Sequence, residues 1–127
     1  MSTRACIGVI EKDGSCISIY HGHDSYPDGL GNLLLDHYSD LNKIREAISK
    51  GDARNWRAEI NDSDFHENTC SEIQTLKELV RCAKLDWIEY IYLFDTSTKK
   101  WLAKRRIKNR FYAFNLYTQG ITLEGVE

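Results

Sequence analysis

Residues 5–21 decide the fold: Ala5-Cys-Ile-Gly-Val-Ile10, then Glu11-Lys-Asp-Gly14, then Ser15-Cys-Ile-Ser-Ile-Tyr-His21. Two apolar, β-branched runs flank Lys12-Asp13-Gly14, which supplies the left-handed backbone that a short hairpin turn requires. Alternation puts Ile7, Val9, Ile17 and Ile19 on one face, toward a core, and Cys6, Cys16, Ser18 and Tyr20 on the other. With Asp13-Gly14 as the turn, opposite residues carry numbers summing to about 27. Cys6 then lies opposite His21 and Cys16 opposite Glu11, so no disulfide is expected across the hairpin.

Downstream, His21-Gly-His-Asp-Ser-Tyr-Pro-Asp-Gly-Leu-Gly31 reads as a structured loop, rich in Gly and Asx and holding the only Pro. It leads into a short helix over Leu30–Tyr38 with Asp28 as N-cap and Leu30, Leu33, Leu34 and Tyr38 at helical spacing. A second helix is expected over Asp40–Lys50, with an apolar stripe of Leu41, Ile44, Ala47 and Ile48 and a stop at Gly51. Residues 52–70 are polar, with Trp56, Ile60 and Phe65 as isolated anchors. Ser71-Glu-Ile-Gln74 has the capping-box pattern for a third helix reaching Lys84. Trp87–Phe94 reads as a strand, Asp95–Lys99 as a turn and Lys100–Arg105 as its hairpin partner. Ile107–Tyr117 fits a further strand or a short helix. Strands arranged in hairpins predict an α+β fold: an antiparallel sheet built from two hairpins with about three helices packed on one face.

The length of 127 residues, 42% of them apolar and a single Pro, fits one domain over 1–127, with 118–127 as a mobile tail. No apolar run reaches the roughly 18 to 20 residues of a membrane helix. The opening Met1-Ser-Thr-Arg-Ala5 lacks a charged-then-apolar export pattern, so a cytoplasmic protein with free thiols is expected. Cys6, Cys16, Cys70 and Cys82 form no C-x-x-C pair. The net charge of −2 conceals an asymmetry: seven of the 17 basic residues lie between Lys99 and Arg110 with no acid among them, leaving ten basic against 19 acidic residues elsewhere.

The stretches Ser2-Thr-Arg-Ala-Cys-Ile-Gly8, Asp13-Gly14, Ser18-Ile-Tyr20 and Asp24-Ser-Tyr-Pro-Asp-Gly-Leu-Gly31, with Leu34, Leu35 and Tyr38, resemble a group of small uncharacterised bacteriophage and prophage proteins. The resemblance covers about the first 40 residues, with a weaker echo in the later Tyr-x-Tyr-x-Phe strand. The chain departs from the group's pattern at Ser25, where Gly is usual, and in His21-Gly22-His23. The resemblance implies a phage or mobile-element origin, and with it counter-defence or host-takeover roles.

Several constellations are candidates for chemistry. His21, His23 and Asp24 form an H-x-H-D run in which both imidazoles share a strand face and could reach one metal, with Asp24 or Asp28 as a carboxylate ligand. The plainer reading is a capped loop with Tyr26 stapled to the core, and no metal or cofactor is expected. His66 and Cys70 would meet only in a helix. No catalytic motif is present, so a binding role is expected ahead of an enzyme.

The basic run interleaves Lys100, Lys104, Arg105, Arg106, Lys108 and Arg110 with Trp101, Phe111 and Tyr112, which suits a partner surface. Strand alternation splits its charge over two faces, as in a protected edge strand. The acidic stretch Asp52–Glu72 could instead compete for a nucleic-acid groove on a host protein, or simply be a soluble loop.

The leading expectation is a phage-derived accessory protein, a monomer or homodimer, that inhibits a host macromolecule without chemistry. The implied target is a defence component, in an anti-CRISPR-like role, with Trp101, Arg105 and Arg106 as anchors. The first alternative is a nucleic-acid or nucleotide-binding module using residues 99–110. The second is a small metal-dependent enzyme centred on His21, His23 and Asp24.

Overall fold

Two hairpins are present, and they join side by side in an unexpected way. In the computed structural model, which describes residues 3–66 and 72–125 (for 121–125 the backbone alone), β1 (Ala5–Ile10) pairs antiparallel with β2 (Ser15–His21) and parallel with β6 (Tyr90–Asp95). β7 (Lys100–Ile107), β8 (Arg110–Asn115) and β9 (Gly120–Gly125) continue from β6 as an antiparallel meander. On the other side β2 meets β3 (Ala53–Asn55), which pairs with β4 (Asp64–Phe65), while β5 (Gln74–Thr75) pairs with β2. The sheet is therefore mixed, in the order β4-β3-β2-β1-β6-β7-β8-β9. The expected mobile tail contributes β9, and Val126 and Glu127 lie outside the described residues.

β1 and β6 are the continuous apolar runs ACIGVI and YIYLFD. A strand with no polar alternation must be covered on both faces. That is why the three helices do not share one face, contrary to expectation. α1 (Asn32–His37) and α2 (Leu41–Ser49) close one face, packing Leu34, Ile44, Ala47 and Ile48 against Ile7, Val9, Ile19, Tyr92, Phe94 and Trp101. α3 (Leu76–Leu85) sits on the opposite face, packing Leu79, Val80 and Ala83 against Cys16, Ile91, Leu93 and Phe111. The face assigned to Cys6, Cys16 and Tyr20 thus forms a second apolar cluster rather than meeting solvent.

The hairpin register differs from expectation by one residue, with Cys6 opposite Tyr20 and Cys16 opposite Ile10. The loop has three residues, Lys12-Asp13-Gly14, closed by Gly14 N–H to Glu11 O, with Gly14 at φ 88°. Cys6, Cys16 and Cys82 are free, and Cys70 lies outside the described residues. At Gly8 a Cβ would lie 2.3 Å from the Ile17 carbonyl oxygen, so the β1–β2 approach requires glycine there.

Helix starts also moved. Before α1, Pro27–Gly31 forms one wide turn with Gly31 N–H bonded to Tyr26 O, so Asp28 caps nothing with its side chain. Asp40 caps α2 by accepting from Asn42 N–H. The capping box of α3 is Thr75 with Glu78, not Ser71 with Gln74. Gln74 and Thr75 are held in the ladder with Cys16 and Ser15, and Ser71 lies outside the described residues.

Candidate functional site

His21 ends β2 and is 1% exposed. Trp56 N–H donates to its Nε2 at 3.0 Å, so that nitrogen is unprotonated. The ring proton therefore sits on Nδ1, 2.8 Å from Ser25 Oγ, and Ser25 in turn donates to the His21 carbonyl at 3.3 Å. Burial pushes the imidazole down to about 4, with His23 adding to the effect. Tyr92 Oη donates to Ser25 O at 2.7 Å, tying the loop to the central strand.

Both nitrogens of His21 are thus used inside the protein, and its geometry is that of a structural knot. His23 stands half-exposed with its Nε2 3.3 Å from the Asp24 carboxylate. Among the described residues no three His, Cys, Asp or Glu side chains gather as a metal-binding group. The H-x-H-D run therefore does not converge as a ligand set. His66 is exposed, and its partner Cys70 lies outside the described residues.

The basic run is dispersed along β7, whose length at about 3.3 Å per residue separates its ends widely. Lys99 and Lys100 lie at one end. Trp101, read from sequence as an interface anchor, is 4% exposed; its Nε1 donates to Tyr38 O at 2.8 Å and its ring meets Phe94 edge-on at 5.4 Å. It is a core residue, because its face is the one that α1 and α2 cover. Lys104 is 6% exposed on the opposite face, and burial pushes its ammonium down to about 8.

At the other end the surface opens. Arg105 faces the α1 side, where its guanidinium lies 5.9 Å from the Tyr90 ring centre, and Tyr26 meets the same ring edge-on at 6.3 Å. The Tyr26 loop and the basic run, separate candidates in sequence, come together here. Arg106 faces the α3 side and lies 4.9 Å over the Trp87 ring. It is fixed there by donating to Lys84 O, Lys108 O and Asn109 Oδ1. Lys108 is exposed in the adjoining turn and Arg110 at the start of β8, and Asp86 and Glu89 flank Trp87.

Trp87 was not a candidate in the sequence, yet its setting is unusual. The end of α3 closes with Ile88 N–H to Ala83 O at 2.9 Å and Trp87 N–H to Lys84 O at 3.4 Å. This is a Schellman motif, whose left-handed position is normally glycine. Here it holds Trp87, at φ 58° and 71% exposed. Leu85 and Ile107 add further exposed apolar surface. Strand periodicity extends back to Trp87, whereas β6 begins at Tyr90 and leaves the indole outside the ladder.

The acidic stretch is partly structural: Asp52 accepts from Tyr20 N–H at 2.9 Å, and Asp64 lies 3.8 Å from Arg54. No helix among the described residues is long and apolar enough to cross a membrane. Comparisons with protein-family models, curated proteins and solved structures find no match to this chain.

Proposed function

We propose that this protein is a non-catalytic binding protein that seats the Trp87–Arg106 end of its sheet on an acidic, partly apolar surface of a host macromolecule, in the role of a phage-encoded inhibitor of a host defence component. One observation carries the reading: a bulky indole occupies a glycine position, is exposed, and is overlaid by a guanidinium that donates hydrogen bonds to three oxygen atoms. Left-handed backbone costs a non-glycine residue about 1 kcal/mol or more, and such outliers cluster at functional surfaces. Trp and Arg also lead the residues that dominate protein interfaces, and a pre-ordered pair pays less side-chain entropy on docking. Lys84, Arg105, Lys108 and Arg110 outnumber the flanking Asp86 and Glu89, which favours an acidic partner.

A pull-down from host lysate, split with and without nuclease, tests the reading when run beside Trp87→Ala and the double variant Arg105→Glu, Arg106→Glu. The expected result is a near-stoichiometric, nuclease-resistant protein partner that both variants lose, the charge reversal mainly through a slower on-rate. Retention by both folded variants would sink this surface. Capture that vanishes with nuclease, with a steep salt dependence, would move the same end of the sheet to nucleic-acid binding, the indole stacking a base.

A further inference from the structure

The Trp87–Arg106 surface is one side of a hairpin end whose other side is built alike. β7 turns into β8 through Lys108 and Asn109, at the end of the sheet where Ala5 and Tyr90 pair. Strand alternation sends Arg105 and Ile107 to the α1 side and Arg106 to the α3 side. On the α3 side Arg106 lies over Trp87, and Leu85 is exposed. On the α1 side Arg105 faces the Tyr90 ring, Tyr26 meets that ring edge-on, and both Tyr26 and Ile107 are exposed. Each side thus combines a guanidinium, an aromatic ring facing it and exposed apolar surface. The tip between them is stiffened by Arg106, which donates to Lys108 O and Asn109 Oδ1. Arg105 differs in having a buried Nε–H with no acceptor among the described residues. A carboxylate on the outer edge of that guanidinium would offset part of the cost through charge. Arg4, Arg105, Arg106, Lys108 and Arg110 outnumber Asp28, Asp86 and Glu89 at this end.

Resting on the protein-binding reading above, we infer that this end of the sheet enters a cleft on its partner as a wedge, with carboxylates on both walls of the cleft. One wall meets Arg105 and Tyr26, and the other meets Arg106 and Trp87. Neighbouring side chains on a strand point to opposite faces, so a flat partner surface meets only one of the two sets. Arg, Trp and Tyr are the residue types that dominate interface energetics, and here they stand on both flanks. The stiff tip lowers the ordering cost of insertion. Basic residues on both flanks call for acidic walls on both sides, and like charge on either wall would oppose entry.

The test puts the photo-reactive residue p-benzoylphenylalanine in place of Tyr26 or of Leu85 in the full chain. Each protein is irradiated in nuclease-treated host lysate, and the adducts are mapped by mass spectrometry. The expected result is one partner chain crosslinked from both positions, on two separate segments that each carry Asp or Glu. With that partner purified, Tyr26→Ala and Arg105→Glu should each weaken binding tenfold or more, as should Trp87→Ala. Lys12→Glu makes the same charge change as Arg105→Glu in the β1–β2 turn, at the opposite end of the sheet, and should stay within twofold of wild type. Circular dichroism checks that each variant is folded, and the crosslinks leave Arg105 in place. Adducts from Leu85 alone, with affinity lost in Trp87→Ala but kept in Tyr26→Ala and Arg105→Glu, would overturn the cleft and leave the protein-binding reading standing. Equal weakening by Lys12→Glu and Arg105→Glu would also overturn it, as the mark of overall charge. Adducts from neither position, with no partner lost in Trp87→Ala, would overturn both the cleft and the reading it rests on.

Discussion

The two faces of the sheet are finished differently. Under α1 and α2 the surface is closed: Tyr92, Phe94 and Trp101 are buried, and the polar atoms of Tyr92, Trp101 and His21 each have a partner. On the opposite face α3 packs beside β2 and β5, while β7 keeps Lys100 and Leu102 exposed. At the far end of that same face Trp87 stands exposed beneath the half-buried Arg106. Two of the residues that look most chemical in sequence, His21 and the tryptophan of the basic strand, went to the closed face. There their polarity is consumed by the fold. The open face keeps Leu102 and Trp87 exposed.

The sharpest way to break this comparison is a pair of neighbours on one strand. Trp101→Ala removes a buried indole, its hydrogen bond to Tyr38 and its edge contact with Phe94. The expected cost is about 3–5 kcal/mol, read by urea unfolding. Leu102→Ala, one residue along on the open face, should cost less than about 1 kcal/mol. Equal costs at the two positions would mean that both faces are closed.

His21 gives the next largest effect and one that depends on pH. In the folded protein its imidazole is pushed down to about 4, against about 6.5 when unfolded. Between those values the unfolded chain binds the extra proton, so stability rises with pH across this window. The contribution is complete above about pH 6.5 and is lost as pH falls toward 4; the displacement corresponds to about 3 kcal/mol. Glu11, Asp13 and Glu78 also sit below the usual carboxylate range and add acid sensitivity of their own, at lower pH. The measurement is therefore the difference between wild type and His21→Gln at pH 7 and pH 4.5. The variant should be less stable at pH 7 and should lose less than wild type on acidification. A parallel loss in the two proteins would place the His21 proton elsewhere.

What could be read from the sequence follows from what local pattern encodes. The β1–β2 hairpin, α2 and its Gly51 stop, and the β6–β7 hairpin are carried by periodicity and turn residues, and all three form, with the first hairpin's register shifted by one residue and β6 beginning at Tyr90 rather than Trp87. The parallel seam between β1 and β6 joins segments more than 80 residues apart, and no local signal specifies it. Its one trace was the lack of polar alternation in ACIGVI and YIYLFD, the mark of strands covered twice. Reading those runs as one-sided put all helices on one face. The same choice turned Trp101 into a surface anchor, because a strand residue's face is known only once its neighbours are known. Arg105 and Arg106 are half-buried at the far end of the strand, one on each face. Trp87 was hidden because nothing in the spacing says that Asp86-Trp87 closes a Schellman turn.

A smaller effect checks how α3 begins. Thr75 Oγ1 accepts from Glu78 N–H at 3.1 Å, and Glu78 Oε1 accepts from Thr75 N–H at 3.0 Å. Thr75→Ala should cost about 1 kcal/mol, since it removes one bond and unseats the other. The same loss at Ser71→Ala, with none at Thr75, would restore the earlier helix start.

The smallest stability effect belongs to the residue with the largest expected effect on binding. Trp87→Asn places at φ 58° a residue that tolerates left-handed backbone, which recovers about 1 kcal/mol of strain. It loses the exposed stack with Arg106, worth about 0.5–1 kcal/mol, and the two changes nearly cancel. Stability should stay within about 1 kcal/mol of wild type while partner capture is lost. A drop comparable to that of Trp101→Ala would instead make Trp87 part of the fold's support. The strain at its backbone would then be a cost of closing α3 against Ile88, and the partner surface would have to rest on Arg106 without the indole.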